Sequence, residues 1–216
     1  MENNNRPVIP VNSVYLFGLK TIVRGFERID CDRMSQWGLH RDPLLAEYNR
    51  RPSTSSGWDE WFRERVAGDG VHALAVDSYV EKLVGWITLS DVSFDYGRAV
   101  LGIELNPDCV HEGFGSDAIR TLLGAYFGSW NFRKLYLEVA APNLSARRCY
   151  EKCGFVMMGR KWLSGPRDLS MGVLQEDPYR KLHGCFRMLN GEIEILHYDM
   201  KATADTWRDR TQHSEP

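Results

Sequence analysis

The chain has 216 residues, 43% hydrophobic and 26% charged, with a formal net charge of −2. That length suits one well-buried domain. The charge balance excludes a global basic field for nucleic acid, and no apolar run approaches the roughly 20 residues of a membrane helix.

In chain order, residues 1–12 read as a polar tail without an apolar signal core, so a cytoplasmic protein is expected. Tyr15 to Phe26 reads as one strand, rich in Leu, Ile, Val and Phe. Asp30 or Asp32 is a candidate cap for a short helix to about Trp37, and Arg41 to Gly57 is irregular, broken by Pro43 and Pro52. Trp58, Trp61, Phe62 and Val66 have helical spacing. Val71 to Tyr79, Leu83 to Leu89 and Arg98 to Leu105 follow as three strands, joined near Glu81 and near Asp95-Tyr96-Gly97 by short turns that predict a meander.

The period then changes. Phe114, Ala118, Leu122 and Tyr126, with Ile119, Leu123 and Phe127 beside them, predict an amphipathic helix ending near Gly128. Lys134 to Val139 alternates as a strand, Asn143 to Lys152 is helical with Asn143 as N-cap and Gly154 as stop, and Phe155 to Leu163 is a strand. Ser164 to Leu182 is less regular. Phe186 to Met188 and Glu192 to Met200 flank an Asn190-Gly191 turn and predict a late hairpin, and residues 202–216 read as a tail. A helix crossing from Leu105 to Lys134 makes those two strands parallel neighbours. The fold class is α+β, a single domain over residues 13–201 with a mixed sheet and helices on its faces.

Five cysteines, Cys31, Cys109, Cys149, Cys153 and Cys185, form no disulfide framework and read as buried thiols, and the histidines have no zinc spacing, so no metal is expected. Two stretches carry chemistry. His111-Glu112-Gly113-Phe114-Gly115-Ser116 lies between a strand and a helix, where glycines and a helix N-terminus can present N–H groups to an anion. It is not a phosphate loop of the Gly-Lys-Ser/Thr type, and Ala118 stands where a dinucleotide fold has its third glycine, which disfavours that alternative. The second stretch is Asn143 to Phe155. Seven residues separate Asn143 from Tyr150, so both lie on one helix face. They serve either as a ligand-binding amide with a proton-donating phenol, or as a cap with a core tyrosine.

Asn143 through Phe155 strongly resembles the Asn-to-Tyr-Glu-Lys-x-Gly-Phe signature of the GNAT superfamily of N-acetyltransferases, and Pro107 to Ser116 resembles that superfamily's acetyl-CoA pyrophosphate loop. Tyr198-Asp199-Met200 resembles the last strand of the ribosomal-protein (RimJ/RimL-like) branch. The loop departs from the family pattern at Val110, where a Gln or Arg is usual, and at His111, where a Gly is common. The resemblance implies a mostly antiparallel sheet with one splayed parallel pair. It also implies direct acetyl transfer from acetyl-CoA to an amine, with a non-catalytic acyl-CoA-binding module as the alternative on the same fold.

The resemblance further implies cofactor contacts at Ile103, Leu105, His111, Glu112, Gly113, Phe114, Gly115, Ser116, Asn143, Ala146 and Tyr150. Tyr150 would protonate the departing thiolate, and Glu104, on the strand that binds the thioester, is the candidate base. Trp37, Trp58, Trp61 and Trp162 either shape the acceptor pocket or belong to the core. The acceptor is left open among a protein N-terminus, an amino acid, a polyamine and an aminoglycoside-like amine. Partners are thus acetyl-CoA and an amine, with no nucleic acid or membrane, and a homodimer is compatible with the sequence.

Overall fold

The computed structural model describes residues 7–10, 13–66, 70–166 and 169–212. The elements are β1 (Tyr15–Phe17), β2 (Thr21–Gly25), α1 (Arg28–Met34), α2 (Ser55–Arg65), β3 (His72–Ser78), β4 (Gly85–Ser93), β5 (Arg98–Leu105), α3 (Phe114–Phe127), β6 (Lys134–Ala140), α4 (Leu144–Lys152), β7 (Val156–Ser164), α5 (Met171–Leu174), β8 (Phe186–Leu189), β9 (Glu192–Thr203) and α6 (Ala204–Gln212). The strands form one sheet in the order β1-β2-β3-β4-β5-β6-β9-β7, with β8 also on β9. Among the described residues β5 and β6 are the parallel pair, and the other pairings are antiparallel. The α+β class, the meander, the crossover helix and the late hairpin are all present.

Alternation along the strands divides the core in two. Leu74, Val76, Ile87, Leu89, Ala99 and Leu101 face α3, whose Ala118, Ile119, Leu122, Leu123, Tyr126 and Phe127 are all buried. The opposite face of β3 and β4 presents Ala73, Ala75 and Trp86 to α1 and α2, where Phe26, Cys31, Met34, Trp37 and Trp58 complete an aromatic core. Phe26, Trp61 and Trp86 pack with ring centroids 5.1–6.2 Å apart, in the range where tilted aromatic pairs add to their burial.

The structure differs from the sequence reading in six places. The first strand is two strands, because Gly18-Leu19-Lys20 turns. Asp117 of α3 holds the turn, accepting from the N–H groups of Leu19, Lys20 and Thr21 and from the Thr21 hydroxyl at 2.7–3.1 Å. A Cβ at Gly18 would stand 2.3 Å from Thr121 Oγ1, so only glycine permits this approach. Asp30 lies inside the first turn of α1, accepting from the Glu27 N–H at 2.9 Å, and Glu27 is the N-cap. The irregular stretch contains a 3-10 helix, Pro43–Asn49, capped by Asp42. Helix α2 begins at Ser55, where the Thr54 hydroxyl accepts from Gly57 N–H. The region expected as a C-terminal tail continues β9 to Thr203 and then forms α6, with Ala204 buried and the Trp207 ring 6.1 Å from Phe127. Part of the expected N-terminal tail also packs: Ile9 is buried and Val8 N–H donates to the Trp130 carbonyl at 3.2 Å, while residues 1–6 and 11–12 lie outside the described residues.

One buried ion network ties α1 to the sheet. Arg24 on β2 grips Asp30 with both Nη atoms at 2.7–2.8 Å and Asp77 on β3 with Nε and Nη2 at 2.9–3.0 Å. Arg33 adds a contact to Asp30 at 2.6 Å. Burial pushes the Asp30 carboxyl up, but its bonds to Arg24, the Glu27 N–H and Arg33 outweigh that and hold it below the usual carboxylate range. The folded pKa is depressed, so its contribution is complete above about pH 4 and is lost as pH falls further. An Asp30→Ala variant should lose about 3–5 kcal/mol in urea unfolding at pH 7, because Arg24 is left buried with one carboxylate fewer.

Candidate active site

The site begins where the parallel pair ends. Strands β5 and β6 pair only at Arg98 with Lys134, Ala99 with Leu135 and Val100 with Tyr136. Beyond that point β5 stays on β4 through Leu105, while β6 stays on β9 through Ala140. Leu101–Leu105 therefore has one unpaired edge facing the gap, with Ile103 and Leu105 on it. An unpaired edge of this kind offers backbone N–H and C=O groups to an extended ligand.

The same strand leads to the glycine-containing turn. Asn106 caps a short 3-10 helix, Pro107–Cys109, and the chain then reverses through left-handed residues His111 (φ 68°) and Gly113 (φ 88°). Gly113 is the N-cap of α3 and supplies no side chain to the first-turn N–H groups, so those of Phe114, Gly115 and Ser116 are available to an anion. A Cβ at Gly115 would lie 3.1 Å from Leu105 Cδ1, so glycine lets this turn sit against the end of β5. Glu112 turns its carbonyl to Lys20, whose Nζ donates to it at 2.8 Å. Lys20 thus places an ammonium beside the turn where Val110 offers no charge. Sequence reasoning missed Lys20, because it arrives from a turn 92 residues away.

Helix α4 brings up the second stretch. Asn143 Oδ1 accepts from Ala146 N–H at 3.0 Å, so Asn143 is the N-cap. Ala146 packs half-buried against the main core. Tyr150 is buried, its ring 5.9 Å from Phe155 in an edge-on contact. Burial and the nearby sulfur of Cys149 hold its phenol well above the ordinary tyrosine range. Tyr150 therefore belongs to the core by packing, and its environment favours the protonated phenol.

Glu104 stands on the face opposite Leu101 and Ile103, as alternation requires. Its Oε2 accepts from the Trp86 indole N–H at 3.1 Å, directly across β4. Its Oε1 is 3.6 Å from Arg51 Nη2. Burial raises the Glu104 carboxyl, opposed by the Trp86 bond and by Arg51, which moves it toward the range where a carboxylate can act as a base. Arg51 lies over the Trp37 ring at 5.3 Å and donates from Nη1 to the carbonyls of Trp37 and Gly38 at 3.2 Å. Tyr48 also lies in this region, and its phenol is raised by burial and by the charges of Glu104, Glu47 and Glu138.

Trp37, Trp58 and Trp61 are members of the aromatic core, and Trp162 lies under Arg187 at 4.5 Å. Trp86, unremarked in the sequence, holds Glu104 in place. The less regular segment from Ser164 to Leu182 also contributes: Leu169, Leu174 and Tyr179 form a small core on Ile195, and the Tyr179 hydroxyl bonds to Asp42 at the start of the 3-10 helix carrying Tyr48. A shallow cavity lined by Leu174, Arg180, His183 and Phe186 lies in this segment, away from the gap between β5 and β6.

The sequence pattern of the acetyltransferase (GNAT) family matches residues 33–155, more than half of the chain. The chain belongs to the GNAT acetyltransferase family. This GNAT chain is 28% identical over 137 residues to the spermidine N(1)-acetyltransferase of Vibrio cholerae, covering 63% of the present chain and 79% of that one. The structure of spermidine N-acetyltransferase from Vibrio cholerae in complex with CoA and spermine aligns with a TM-score of 0.62 at 20% identity, covering 87% of this chain and 98% of that one. The same enzyme in complex with manganese ions aligns with a TM-score of 0.60 at 20% identity, covering 91% and 98%. Like its family, this GNAT enzyme transfers acetyl from acetyl-CoA to an amine. Among the described residues no cluster of three or more His, Cys, Asp or Glu could hold a metal ion, and no helix is long and apolar enough to cross a membrane.

Proposed function

We propose that acetyl-CoA binds along the open edge of β5 with its pyrophosphate on the turn before α3, and that the acceptor is a small polycationic amine of the polyamine class. The observation that carries this reading is the gap that opens after Val100 and Tyr136 and ends at the uncapped N-terminus of α3. The residues fit the donor: glycine at positions 113 and 115 lets backbone come close, and the N–H groups from Gly113 to Ser116 suit phosphate oxygens. Asn143 would meet the pantetheine arm, and Lys20 supplies the cation that Val110 does not.

Three carboxylates, Glu47, Glu104 and Glu138, act on the Tyr48 phenol. Of these, Glu104 already faces Arg51 and Glu138 is paired with Lys161, so the polyamine reading is supported by the names of the Vibrio cholerae relatives. The ribosomal-protein branch rests on Tyr198-Asp199-Met200 alone, and these relatives give it no support.

In the transfer the amine nitrogen attacks the thioester carbonyl. Glu104 removes a proton from the ammonium, directly or through water, and β5 backbone N–H groups stabilise the oxyanion. As the carbon–sulfur bond breaks, Tyr150 donates its phenolic proton to the thiolate. A phenol held above its ordinary range remains protonated throughout the working pH range, as this role requires.

Acetylation of a panel of polyamines, amino acids and peptides, followed by thiol release, tests the acceptor class; faster turnover of a peptide N-terminus than of spermidine would overturn it. Tyr150→Phe should retain acetyl-CoA binding and lower kcat by about 10²-fold. Glu104→Gln should remove the acidic limb of the kcat/KM profile. In Arg51→Met that limb should move to higher pH, since Arg51 lowers the Glu104 carboxyl. Lys20→Met should raise the KM for acetyl-CoA about 3- to 10-fold and weaken its salt dependence, with kcat little changed.

A further inference from the structure

Acetyl transfer to a primary ammonium takes two protons from one nitrogen, which carries three hydrogens at the start and one in the amide. Glu104 accounts for the first, and Tyr150 moves its proton the other way, to sulfur. A second acceptor belongs on the face of the sheet that carries Glu104, and strand register places a candidate there. Leu101, Leu137 and Val139 face the main core, so alternation puts Glu104 and Glu138 on the opposite face. Glu104 lies four residues beyond Val100, and Ala140 lies four beyond Tyr136, the partner of Val100 in the parallel pair. Ala140 is in turn the register partner of His197 on β9. Tyr198 and Met200 pack toward the main core, so His197 and Asp199 share the face of Glu104. By register, then, His197 stands at the level of Glu104 on the far side of the gap, with the small Ala140 between them in strand order.

The loop over this face spans the same interval. Leu44, in the 3-10 helix Pro43–Asn49, packs on the small core with Ala140 and Ile195, and Arg51, further along, approaches Glu104. Tyr48, between them in the chain, is within electrostatic reach of Glu104, Glu138 and Tyr150. The His197 ring is held in one orientation. Its Nδ1 lies 2.9 Å from Glu138 Oε1, while Lys161 Nζ reaches the other oxygen of Glu138 at 2.6 Å and Asp199 at 3.0 Å. A carboxylate gripped by an ammonium only accepts, so Nδ1 carries the hydrogen and Nε2 of the neutral ring keeps its lone pair. The His197 side chain is 19% exposed, and no partner for Nε2 is found among the described residues. The charged groups around the ring are Glu138 from β6, Asp199 from β9 and Lys161 from β7.

We propose that His197, oriented by Glu138, accepts the second proton of the acceptor amine. The proposal deepens the transfer described above and rests on its placing of the amine beside Glu104. Glu104 first removes one proton from the ammonium. The freed lone pair forms the carbon–nitrogen bond, and the attacking nitrogen becomes positive with two hydrogens. His197 Nε2 accepts one of these. The oxyanion then collapses, the carbon–sulfur bond breaks, and Tyr150 protonates the leaving sulfur. Glu104 and His197 now hold one proton each. One restores Tyr150 through water, and the other passes to solvent as the single proton released per turnover. An imidazole suits this step because it can take up and release a proton near neutral pH. Glu138 is a positioning residue that fixes the tautomer, and Lys161 fixes Glu138.

The test measures single-turnover thiol release by the full chain with acetyl-CoA and whichever amine the acceptor panel turns over fastest, so failure of the polyamine reading leaves it standing. His197→Asn keeps an N–H donor for Glu138 but lacks the accepting nitrogen. Its transfer rate should fall at least about tenfold, with the Kd for acetyl-CoA and the thermal midpoint unchanged. His197→Ala should be slowed as much, and added imidazole should restore part of its rate while leaving the unmodified chain unaffected, a rescue that a structural role does not predict. Glu138→Gln should slow transfer by itself and add nothing to His197→Asn. In the unmodified chain, nitrogen NMR of the imidazole should show the Nδ1–H tautomer, a measurement that needs no variant. A His197→Asn rate within about twofold of the unmodified chain, no recovery with imidazole, or an Nε2–H tautomer overturns the proposal. Glu104 is decided separately. A slow His197→Asn beside an unaltered Glu104→Gln removes the Glu104 assignment and keeps His197 as proton acceptor, and the reverse pattern removes His197 alone.

Discussion

The site depends on a sheet that stops being a sheet after three residue pairs. From Leu101 and Leu137 onward, β5 and β6 each keep one neighbour and lose the other. Unpaired strand edges inside a protein are costly unless something takes up their hydrogen bonds, and this edge lies beside the turn that starts α3. A bulge in β4 between Ser90 and Ser93 lies against the end of β5 where the pairing with β6 survives. The open edge, the left-handed Gly113, the close-approach Gly115 and the uncapped helix N-terminus follow one another along the chain.

Around that gap the two cores have different tasks. The larger core, between the sheet and α3, fixes where the helix N-terminus points and holds Tyr150 against Phe155. The aromatic core on the other face positions Glu104 through Trp86 and braces Arg51 on Trp37. The acid and base candidates therefore come from opposite faces of the sheet. The buried Arg24, Asp30 and Asp77 network makes the second face dependable by locking α1 to β2 and β3.

Several connections hold the surroundings of Glu104 together across long stretches of chain. Asp108 accepts from Gly38 N–H at 2.9 Å, Tyr179 bonds to Asp42, and Arg51 approaches Glu104. The residues from Trp37 to Arg51 are thus tied to the turn before α3, to the segment carrying Tyr179 and to β5. This arrangement explains how a stretch with little regular structure is held in place.

From the sequence alone, the alternation of the strands, the four-residue period of α3 and the Asn143 to Phe155 pattern determined the fold class, the parallel pair, the family and the side of β5 on which Glu104 stands. Periodicity is a local property, and the face a residue takes follows from it directly. Only the tertiary structure decided that Tyr15 to Phe26 turns at Gly18, that residues 204–212 form a docked helix, that Lys20 stands beside the turn before α3, and that Trp86 and Arg51 stand beside Glu104. Each of these depends on a contact between residues far apart in the chain: Asp117 on the Gly18 turn, Phe127 on Trp207, Glu112 on Lys20, Glu104 on Trp86 and Arg51. A charged residue in a turn looks the same in sequence whether it faces water or an anion-binding turn, because the difference lies in what the fold brings beside it.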